Sequence, residues 1–327
     1  MISFLNVSKS FKVYESKTGF KGAVQNFFKR EYKNKQVLDD ITFEIEDGKI
    51  VGLLGSNGAG KTTTLKILSG LFSPTSGTVR INGFNPFEKK NEFKRSIAFV
   101  MGQKSQLWWD LSAMESFILI KNIYEIPDEQ FEENLNYLLD LFQVKEFVNI
   151  QVRKLSFGQR MKMEIINSLL HNPKVIFLDE PTIGLDFESQ KSIRRFIKEY
   201  NRKYKATFII TSHYLNDIEE VCDEIIVLDK GKKLISDSIS NIMHAYSDQK
   251  ILKISFQEEL KNRNYLDSLK DYEYKDRVLT VKAMKQEINS ITSYILGNEQ
   301  VEDINIEEVP FEHVISTIYE TKGEGKC

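Results

Sequence analysis

The segment from Gly55 to Thr62 constrains the fold of this chain more than any other feature. Its residues match the pattern G-x-x-x-x-G-K-[ST], a loop whose backbone N–H groups surround phosphate oxygens. The context fits as well, because the apolar run from Ile50 to Leu54 is typical of a buried strand and a helical pattern follows the loop. A glycine-rich turn that matched by chance would lack this order. We therefore expect a phosphate-binding loop between a strand and a helix, within an α/β fold.

Each residue type in this loop has a physical reason to be there. Glycines let the backbone turn its N–H groups inward, and the helix N-terminus adds partial positive charge. Lys61 is predicted to neutralise the β- and γ-phosphates of ATP, and the Thr62 hydroxyl to ligate Mg²⁺. A dinucleotide site is excluded because G-x-G-x-x-G is absent from this turn. The predicted nucleotide-binding residues of the loop are Gly55, Ser56, Asn57, Gly58, Ala59, Gly60, Lys61, Thr62 and Thr63.

A second apolar run ends in two acidic residues. Val175 to Leu178 predicts another buried strand, which places Asp179 at its carboxyl end, where it would face the Mg²⁺ shell. Glu180 follows and could accept a proton from the attacking water. Taken without the phosphate-binding loop, the same residues could equally be a strand followed by an acidic helix cap.

Composition excludes several classes of protein. Hydrophobic residues make up 41% of the chain, enough for a proper core, and the net charge of −2 provides no general attraction to nucleic acid. The two cysteines, Cys222 and Cys327, cannot form a disulfide framework and suit a reducing cytoplasm. No apolar run has the length of a membrane span, and the first residues do not read as a secretory signal. Any membrane role should therefore depend on a partner or on surface binding.

The pattern along the chain predicts two domains. Short apolar runs that alternate with helical stretches indicate a mainly parallel α/β sheet, with further strands at 1–14, 38–46, 207–211 and 225–228 and mostly helix over 128–170. The periodicity weakens between 236 and 249, and a second pattern then predicts strands at 251–256, 278–281 and 301–306 with helices near 288–296 and 312–319. We expect a first domain at 1–240 and a small α+β domain at 250–321.

Residues Leu155 to Gln159 read Leu-Ser-Phe-Gly-Gln, which resembles the LSGGQ signature of ABC ATPases. Phe157 departs from the usual glycine, although Ser156, Gly158 and Gln159 match. Ser156 and Gly158 fall at a predicted helix N-terminus, which favours anions. In the resembled family this site faces the γ-phosphate bound by a second cassette, so the resemblance implies a pair of cassettes that close head-to-tail over two ATP molecules.

Other family motifs follow in the expected order. Gln103 resembles the Q-loop glutamine, which contacts the Mg²⁺ and the attacking water, and Asp186 resembles the D-loop aspartate. His213 resembles the switch histidine after the last core strand, and Phe11 the aromatic residue that stacks on adenine. The resemblance covers about residues 1–235 and implies the P-loop ABC ATPase fold: a mainly parallel sheet, an antiparallel β subdomain and a helical subdomain. The remaining histidines, His171, His244 and His313, are expected to be structural.

The segments 103–110, 155–161 and 169–173 are similar to ABC-2 type exporters, in a branch that works with two permease chains. This resemblance implies an ATPase at the cytoplasmic face of the membrane that drives transport through integral-membrane permease subunits. A ribosome-associated ABC ATPase usually carries two cassettes in one chain, whereas this chain has one phosphate-binding loop and one signature. A DNA-repair ATPase would need a long heptad insertion, and about ninety residues separate the two motifs. We therefore expect no nucleic-acid partner.

Two segments are candidates for contact with the membrane or the permease. Residues 15–36 interleave lysine and arginine with aromatic residues, which suits an anionic membrane surface, and Gly22 to Tyr32 could form a short helix. A solvated loop with locally packed phenylalanines is the alternative. Trp108 and Trp109 follow Gln103, and two adjacent residues cannot share one helix face, so we expect at least one tryptophan to be exposed or half-buried, and an exposed one to be an interface anchor. A tryptophan that folds into its own helical subdomain is the alternative there.

Overall fold

The protein was analysed as a computed structural model that describes residues 1–14, 32–102, 105–245, 248–260, 265–266, 269 and 271–323. Gln103 and residues 15–31 lie outside the described residues, so the predicted Q-loop and most of the basic and aromatic segment are not described. Within the described ranges, none of the helices combines the length and apolarity needed to cross a bilayer. The chain separates into two compact units, Met1–Asp237 and Ser238–Cys327.

The elements up to residue 238 alternate between strands and helices. The strands are β1 Ile2–Tyr14, β2 Tyr32–Ile45, β3 Ile50–Gly55, β4 Ser76–Ile81, β5 Ile97–Met101, β6 Val175–Asp179, β7 Thr207–Thr211, β8 Glu224–Asp229 and β9 Lys232–Ser238. The helices are α1 Lys61–Leu68, α2 Asn91–Ser96, α3 Ala113–Tyr124, α4 Asp128–Phe142, α5 Phe157–Leu169, α6 Phe187–Tyr204 and α7 Leu215–Val221, with 3₁₀ turns at Pro86–Glu88, Lys145–Phe147 and Val152–Lys154.

The central sheet of the first unit has six strands in the order β5-β6-β7-β3-β8-β9. β5, β6, β7, β3 and β8 run parallel to one another. Parallel sheets have both faces covered, which explains why β6 and β7 are buried along almost their whole length and have apolar residues at their centres. Parallel strands bring their carboxyl ends to one edge. The register pairs Asp179 with both Met101 and Thr211, and Thr211 with Leu53. The predicted motifs therefore meet at this edge.

A three-stranded antiparallel sheet, β2-β1-β4, lies beside this core in the first unit, and its apolar side chains join the same buried cluster. The prediction that residues 15–36 are an insertion between the first two strands is wrong for residues 32–36. β2 begins at Tyr32, and its first residues pair antiparallel with the end of β1, from Ser10–Gln36 to Tyr14–Tyr32. These β2 residues are exposed and include no aliphatic side chain, so they carry no alternating apolar signal.

Helices α4 and α5 lie within the stretch 128–170 that is predicted to be mostly helical, and α3 precedes it. α3 begins with a capping box between Ser112 and Glu115, which satisfies two free N–H groups at the helix start. α4 buries one face through Phe131, Leu135 and Phe142, spaced by about one helical turn or a multiple of it. The P-loop cassette with a parallel core, an antiparallel sheet and a helical segment confirms the predicted fold class.

The second unit contains a four-stranded antiparallel sheet in the order β11-β12-β10-β13. Its apolar core includes Leu252, Ile254, Leu279 and Ile295. The predicted α+β pattern after residue 250 is therefore present, and the helix at 239–245 also belongs to this unit. Its elements are α8 Ile239–Ala245, β10 Gln249–Phe256, β11 Tyr272–Lys275, β12 Val278–Met284, α9 Lys285–Asn298, β13 Val301–Glu308 and α10 Phe311–Gly323.

Candidate nucleotide site

The phosphate-binding loop connects β3 to α1 at the carboxyl edge of the central sheet. Gly58 and Gly60 have left-handed backbone conformations, with φ of 84° and 109°, that favour glycine. A Cβ at Gly60 would also lie 2.4 Å from Leu38 Cδ2 and 3.2 Å from the Val37 carbonyl, so close packing adds to the preference for glycine that the backbone conformation sets. Gly60 caps α1, and its carbonyl accepts the Thr64 N–H at 2.9 Å. The free N–H groups at the helix start are thus presented toward the loop.

Lys61 is the buried cation of this loop. Its ammonium group donates hydrogen bonds to the carbonyls of Gly55 at 2.6 Å and Ser56 at 3.3 Å. Burial lowers the pKa of Lys61, while the nearby Glu180 and Asp179 carboxylates oppose that shift. An anion in the loop would add to the stabilisation of the charged ammonium. Lys61 therefore has the position and the electrostatic setting of a phosphate ligand.

Two hydroxyl groups meet at the carboxylate of Asp179. Thr62 Oγ1 donates to Asp179 Oδ1 at 3.1 Å, and Thr211 Oγ1 donates to the same oxygen at 2.8 Å. Hydroxyl and carboxylate oxygens are the hard ligands that Mg²⁺ prefers, and Mg²⁺ in nucleotide sites needs only one or two of them besides phosphates and water. The described residues contain no cluster of three side chains that could hold a metal unaided. Thr62 and Asp179 thus fit a Mg²⁺ site that depends on bound nucleotide.

Glu180 and His213 are paired across two loops. His213 Nε2 lies 2.8 Å from Glu180 Oε1. Glu180 has a φ of 56°, which is uncommon outside glycine and stores backbone strain. The Glu180 N–H donates hydrogen bonds to Thr211 Oγ1 at 2.9 Å and to the Thr211 carbonyl at 3.2 Å. The structure therefore brings the predicted base and the predicted switch histidine into direct contact at the edge where the phosphate loop lies.

The signature residues form the start of α5. Ser156 caps the helix in a capping box with Gln159, in which Ser156 Oγ accepts the Gln159 N–H at 3.2 Å and Gln159 Oε1 accepts the Ser156 N–H at 2.9 Å. Gly158 is required by space, since a Cβ there would lie 2.3 Å from Ser189 Oγ at the start of α6. Within the described hydrogen bonds, none joins these residues to the loop at 55–62.

Asp186 caps the neighbouring helix α6. Its carboxylate accepts the Ser189 N–H and the Ser189 hydroxyl, both at 2.9 Å, and these bonds lower the pKa of Asp186 below its usual value. The Asp186 carboxylate also lies near Gly158, as a Cβ at Gly158 would be 3.5 Å from Asp186 Oδ2. The predicted D-loop aspartate and the signature glycine therefore adjoin each other within one chain.

Phe11, the predicted adenine-stacking residue, lies on β1. Its ring packs edge-on against Phe72 with centroids 5.5 Å apart, and Lys9 Nζ lies 4.9 Å from its centroid. The ring is half-buried, so an aromatic surface remains accessible beside a cation. The assignment of Phe11 to adenine stays a prediction. Gln103, another predicted site residue, lies outside the described residues.

Sequence reasoning left Thr211 without a role and missed Gly102. The Thr211 side chain connects Asp179 with the Glu180 backbone, as its hydrogen bonds show. A Cβ at Gly102 would lie 2.3 Å from the Glu180 carbonyl, so only glycine lets the chain pass from β5 toward residue 103. The short Thr-Ser-His run of residues 211–213 was the available signal for Thr211. Gly102 has no comparable local signal, because its constraint comes from another strand.

Phe157, which stands where the signature usually has glycine, lies against Arg160, a contact that sequence reasoning also missed. The Arg160 guanidinium lies between two rings, 5.1 Å from the Phe157 centroid and 5.0 Å from the Trp109 centroid. Both distances are within the range of cation–π attraction. The exposed fraction of the tryptophan side chains is nevertheless large, 58% for Trp108 and 53% for Trp109, which confirms the expectation that at least one is exposed.

Comparison with known proteins agrees with this geometry. Residues 38–183 match the family model described as ABC transporter. The chain is 30% identical over 215 residues to the ABC transporter ATP-binding protein NatA of Bacillus subtilis, covering 66% of this chain and 87% of that protein. This chain is a member of the ABC transporter ATP-binding proteins. As such it is an ATPase.

Two further comparisons extend the likeness. The cassette is 34% identical over 203 residues to the bacitracin transport ATP-binding protein BcrA of Bacillus licheniformis, covering 62% of this chain and 65% of that protein. Its fold matches a dimeric ATP-binding cassette solved in a post-hydrolysis state with ADP and Pi, with a TM-score of 0.60, 24% identity, and coverage of 73% of this chain and 99% of that chain.

Proposed function

We propose that this cassette is the ATP-hydrolysing subunit of an ABC-2 type exporter, at the cytoplasmic face of the membrane, and that it works as a pair. The pairing is supported by two groups of predicted site residues that no described hydrogen bond joins. The phosphate loop, Asp179 and Glu180 gather at one sheet edge, whereas Ser156 and Gln159 cap α5 without a described hydrogen bond to that loop. A second cassette would supply the missing helix N-terminus to the γ-phosphate. The dimeric arrangement of the structural relative supports this reading.

The proposed chemistry uses the residues that meet at the sheet edge. Lys61 and the backbone N–H groups of its loop bind the β- and γ-phosphates. Thr62 and Asp179 would hold Mg²⁺, which when bound neutralises charge on those phosphates. Glu180 accepts the proton of the attacking water, and the contact with His213 Nε2 keeps that carboxylate oriented. The strained backbone of Glu180 is consistent with a residue whose position matters more than its contribution to stability.

Relatives of this chain support a direction of transport, and its exposed apolar residues support a docking surface for the partner. A relative whose name states export, the Nod factor export ATP-binding protein I of Cupriavidus metallidurans, supports export. For the partner, we propose that a cytoplasmic segment of a permease docks beside Trp109. A cavity of about 440 Å³ in the same unit is lined by Trp109 together with Phe157, Arg160 and Met161. Exposed apolar side chains also lie on α3, notably Ile123. Exposed apolar surface of this kind is typical of a protein interface.

Cross-linking within a reconstituted transporter tests this proposal. Trp109→Cys, in a Cys327→Ser background, should cross-link to a permease chain with a short bifunctional reagent, because Trp109 is exposed and Cys222 is buried. Thr78→Cys, on exposed β4 of the antiparallel sheet, is the matched control and should not cross-link. A transporter that remains active and cross-links from Thr78 but not from Trp109 would place the docking surface elsewhere. ATP-dependent efflux against uptake in vesicles decides the direction.

A further inference from the structure

A buried carboxylate on α7, Asp217, joins two loops of the nucleotide site. Its Oδ2 accepts a hydrogen bond from Thr182 Oγ1 at 2.5 Å and from Ser212 Oγ at 3.1 Å. Its Oδ1 accepts one from Arg194 Nη1 at 2.6 Å. The residue is 6% exposed, so water cannot substitute for these partners. A buried carboxylate with three donors holds all of them in place, because the loss of any bond leaves an uncompensated polar group.

Arg194 provides the charge that makes this carboxylate stable inside the protein. It lies on α6, is itself buried, and forms a second ion pair from Nε to Glu220 at 2.8 Å. Glu220 is half exposed and has no described contact with either loop. Asp217 and Glu220 therefore both pair with Arg194, but within the described contacts only Asp217 reaches the loops that carry Thr182 and Ser212.

Those loops are the ones that carry the proposed catalytic pair. Thr182 lies two residues after Glu180, and Ser212 directly precedes His213. Ser212 Oγ also accepts the Tyr214 N–H at 3.0 Å, which fixes the turn that presents His213. The separation of 2.8 Å between His213 Nε2 and Glu180 Oε1 thus depends on the relative position of two loops. The Asp217 carboxylate is a side-chain connection between them.

We infer that Asp217 is a positioning residue for ATP hydrolysis. It keeps the loop that begins at Glu180 and continues to the D-loop in register with the loop that carries His213. This inference rests on the proposed roles of Glu180 and His213. A displacement of about 1 Å in reacting groups can slow an enzyme by about 100-fold, so loss of this connection should reduce turnover much more than it reduces ATP binding.

The test measures kcat and KM for ATP on the full-length chain. Asp217→Ala, and separately Thr182→Val and Ser212→Ala, should each lower kcat, by about 10- to 100-fold for Asp217→Ala, with KM within about twofold of wild type. Asp217→Asn retains an oxygen acceptor for the two hydroxyls and should recover most of the lost rate. Glu220→Gln is the matched control. It removes the other partner of Arg194 and should leave kcat unchanged.

A second measurement separates positioning from a general loss of structure. In a Glu180→Gln background, adding Asp217→Ala should cause little further loss of rate, since residues that act as a unit are not additive. Should Asp217→Ala be poorly folded by circular dichroism, Thr182→Val and Ser212→Ala decide the question. Wild-type kcat in both hydroxyl variants, or an equal loss in Glu220→Gln, would overturn the inference. Wild-type turnover in Glu180→Gln alone would instead overturn the proposed catalytic assignment.

Discussion

His171 follows α5 and has a partly buried ring. The effect of that burial can be tested by measuring the stability of the protein at acidic pH. Its ring stacks on Tyr124 with centroids 4.0 Å apart, and its Nε2 donates to the Ile97 carbonyl at 3.0 Å. Nδ1 is buried and has no hydrogen-bond partner in the part of the chain that the structure describes. A second proton would have to occupy that nitrogen. Burial therefore lowers the pKa of His171 from 6.5 to about 4, against a smaller opposing effect of the Ile97 carbonyl.

The sign and size of the pH effect follow from this difference. The unfolded chain binds the proton more readily than the folded chain, so the stability that the neutral ring contributes is fully present above pH 6.5 and is lost as the pH falls toward about 4. The full difference between the two pKa values corresponds to about 3 kcal/mol. At about pH 5, where the unfolded histidine is charged and most of the folded histidine is neutral, about 2 kcal/mol of it should be lost.

Urea unfolding followed by tryptophan fluorescence measures this loss, because Trp108 and Trp109 lie in the same unit as His171. The free energy of unfolding is compared at about pH 7.5 and about pH 5 for wild type and for His171→Gln, which retains an N–H donor but does not titrate. Wild type should lose about 2 kcal/mol more than the variant over this interval. His313→Gln, at an exposed position of α10, is the control and should follow wild type.

Wild type, His171→Gln and His313→Gln contain the same carboxylates, which also respond to acid. The difference between wild type and His171→Gln therefore reports on His171 alone. If wild type and His171→Gln lost the same free energy of unfolding to within about 0.5 kcal/mol, burial would not be what keeps this ring neutral. A greater loss in His171→Gln than in wild type would reverse the sign of the argument. Either result would refute the reasoning.

Two further predictions concern the nucleotide site. Glu180→Gln should bind ATP with the affinity of wild type but hydrolyse it at least about 100-fold more slowly, because an amide cannot accept the proton, and it should accumulate as a dimer in size-exclusion chromatography with ATP; turnover at the wild-type rate would contradict its role as base. Ser156→Arg should prevent dimer formation but leave the ATP affinity of the monomer within about twofold of wild type. The reason is that Ser156 is expected to contact only nucleotide bound by the partner cassette. Sedimentation, measured together with nucleotide titration, checks both effects. A parallel loss of monomer affinity would argue against the trans arrangement.

Much of this site is determined locally, and for that reason the sequence alone was sufficient to predict it. The loop at 55–62 needs glycines, a lysine and a threonine in fixed order between a strand and a helix, and this need is visible within one short segment. Buried parallel strands such as β6 appear as continuous apolar runs, so the acidic pair that follows β6 could be placed at a sheet edge. The signature was also readable, because a helix cap depends on residues three apart.

The remaining features depend on contacts between distant parts of the chain. The start of β2 at Tyr32 is stabilised by pairing with β1 and carries no apolar period. Gly102 is required because the Glu180 carbonyl approaches from another strand, and the Arg160 stack requires Trp109 and Phe157 to meet across two segments. Asp217 connects two loops only after α7 packs against α6. The sequence by itself thus determined the motifs from which the catalytic residues are predicted. Only tertiary packing decided which buried groups contact those residues, because such contacts leave no pattern along the chain.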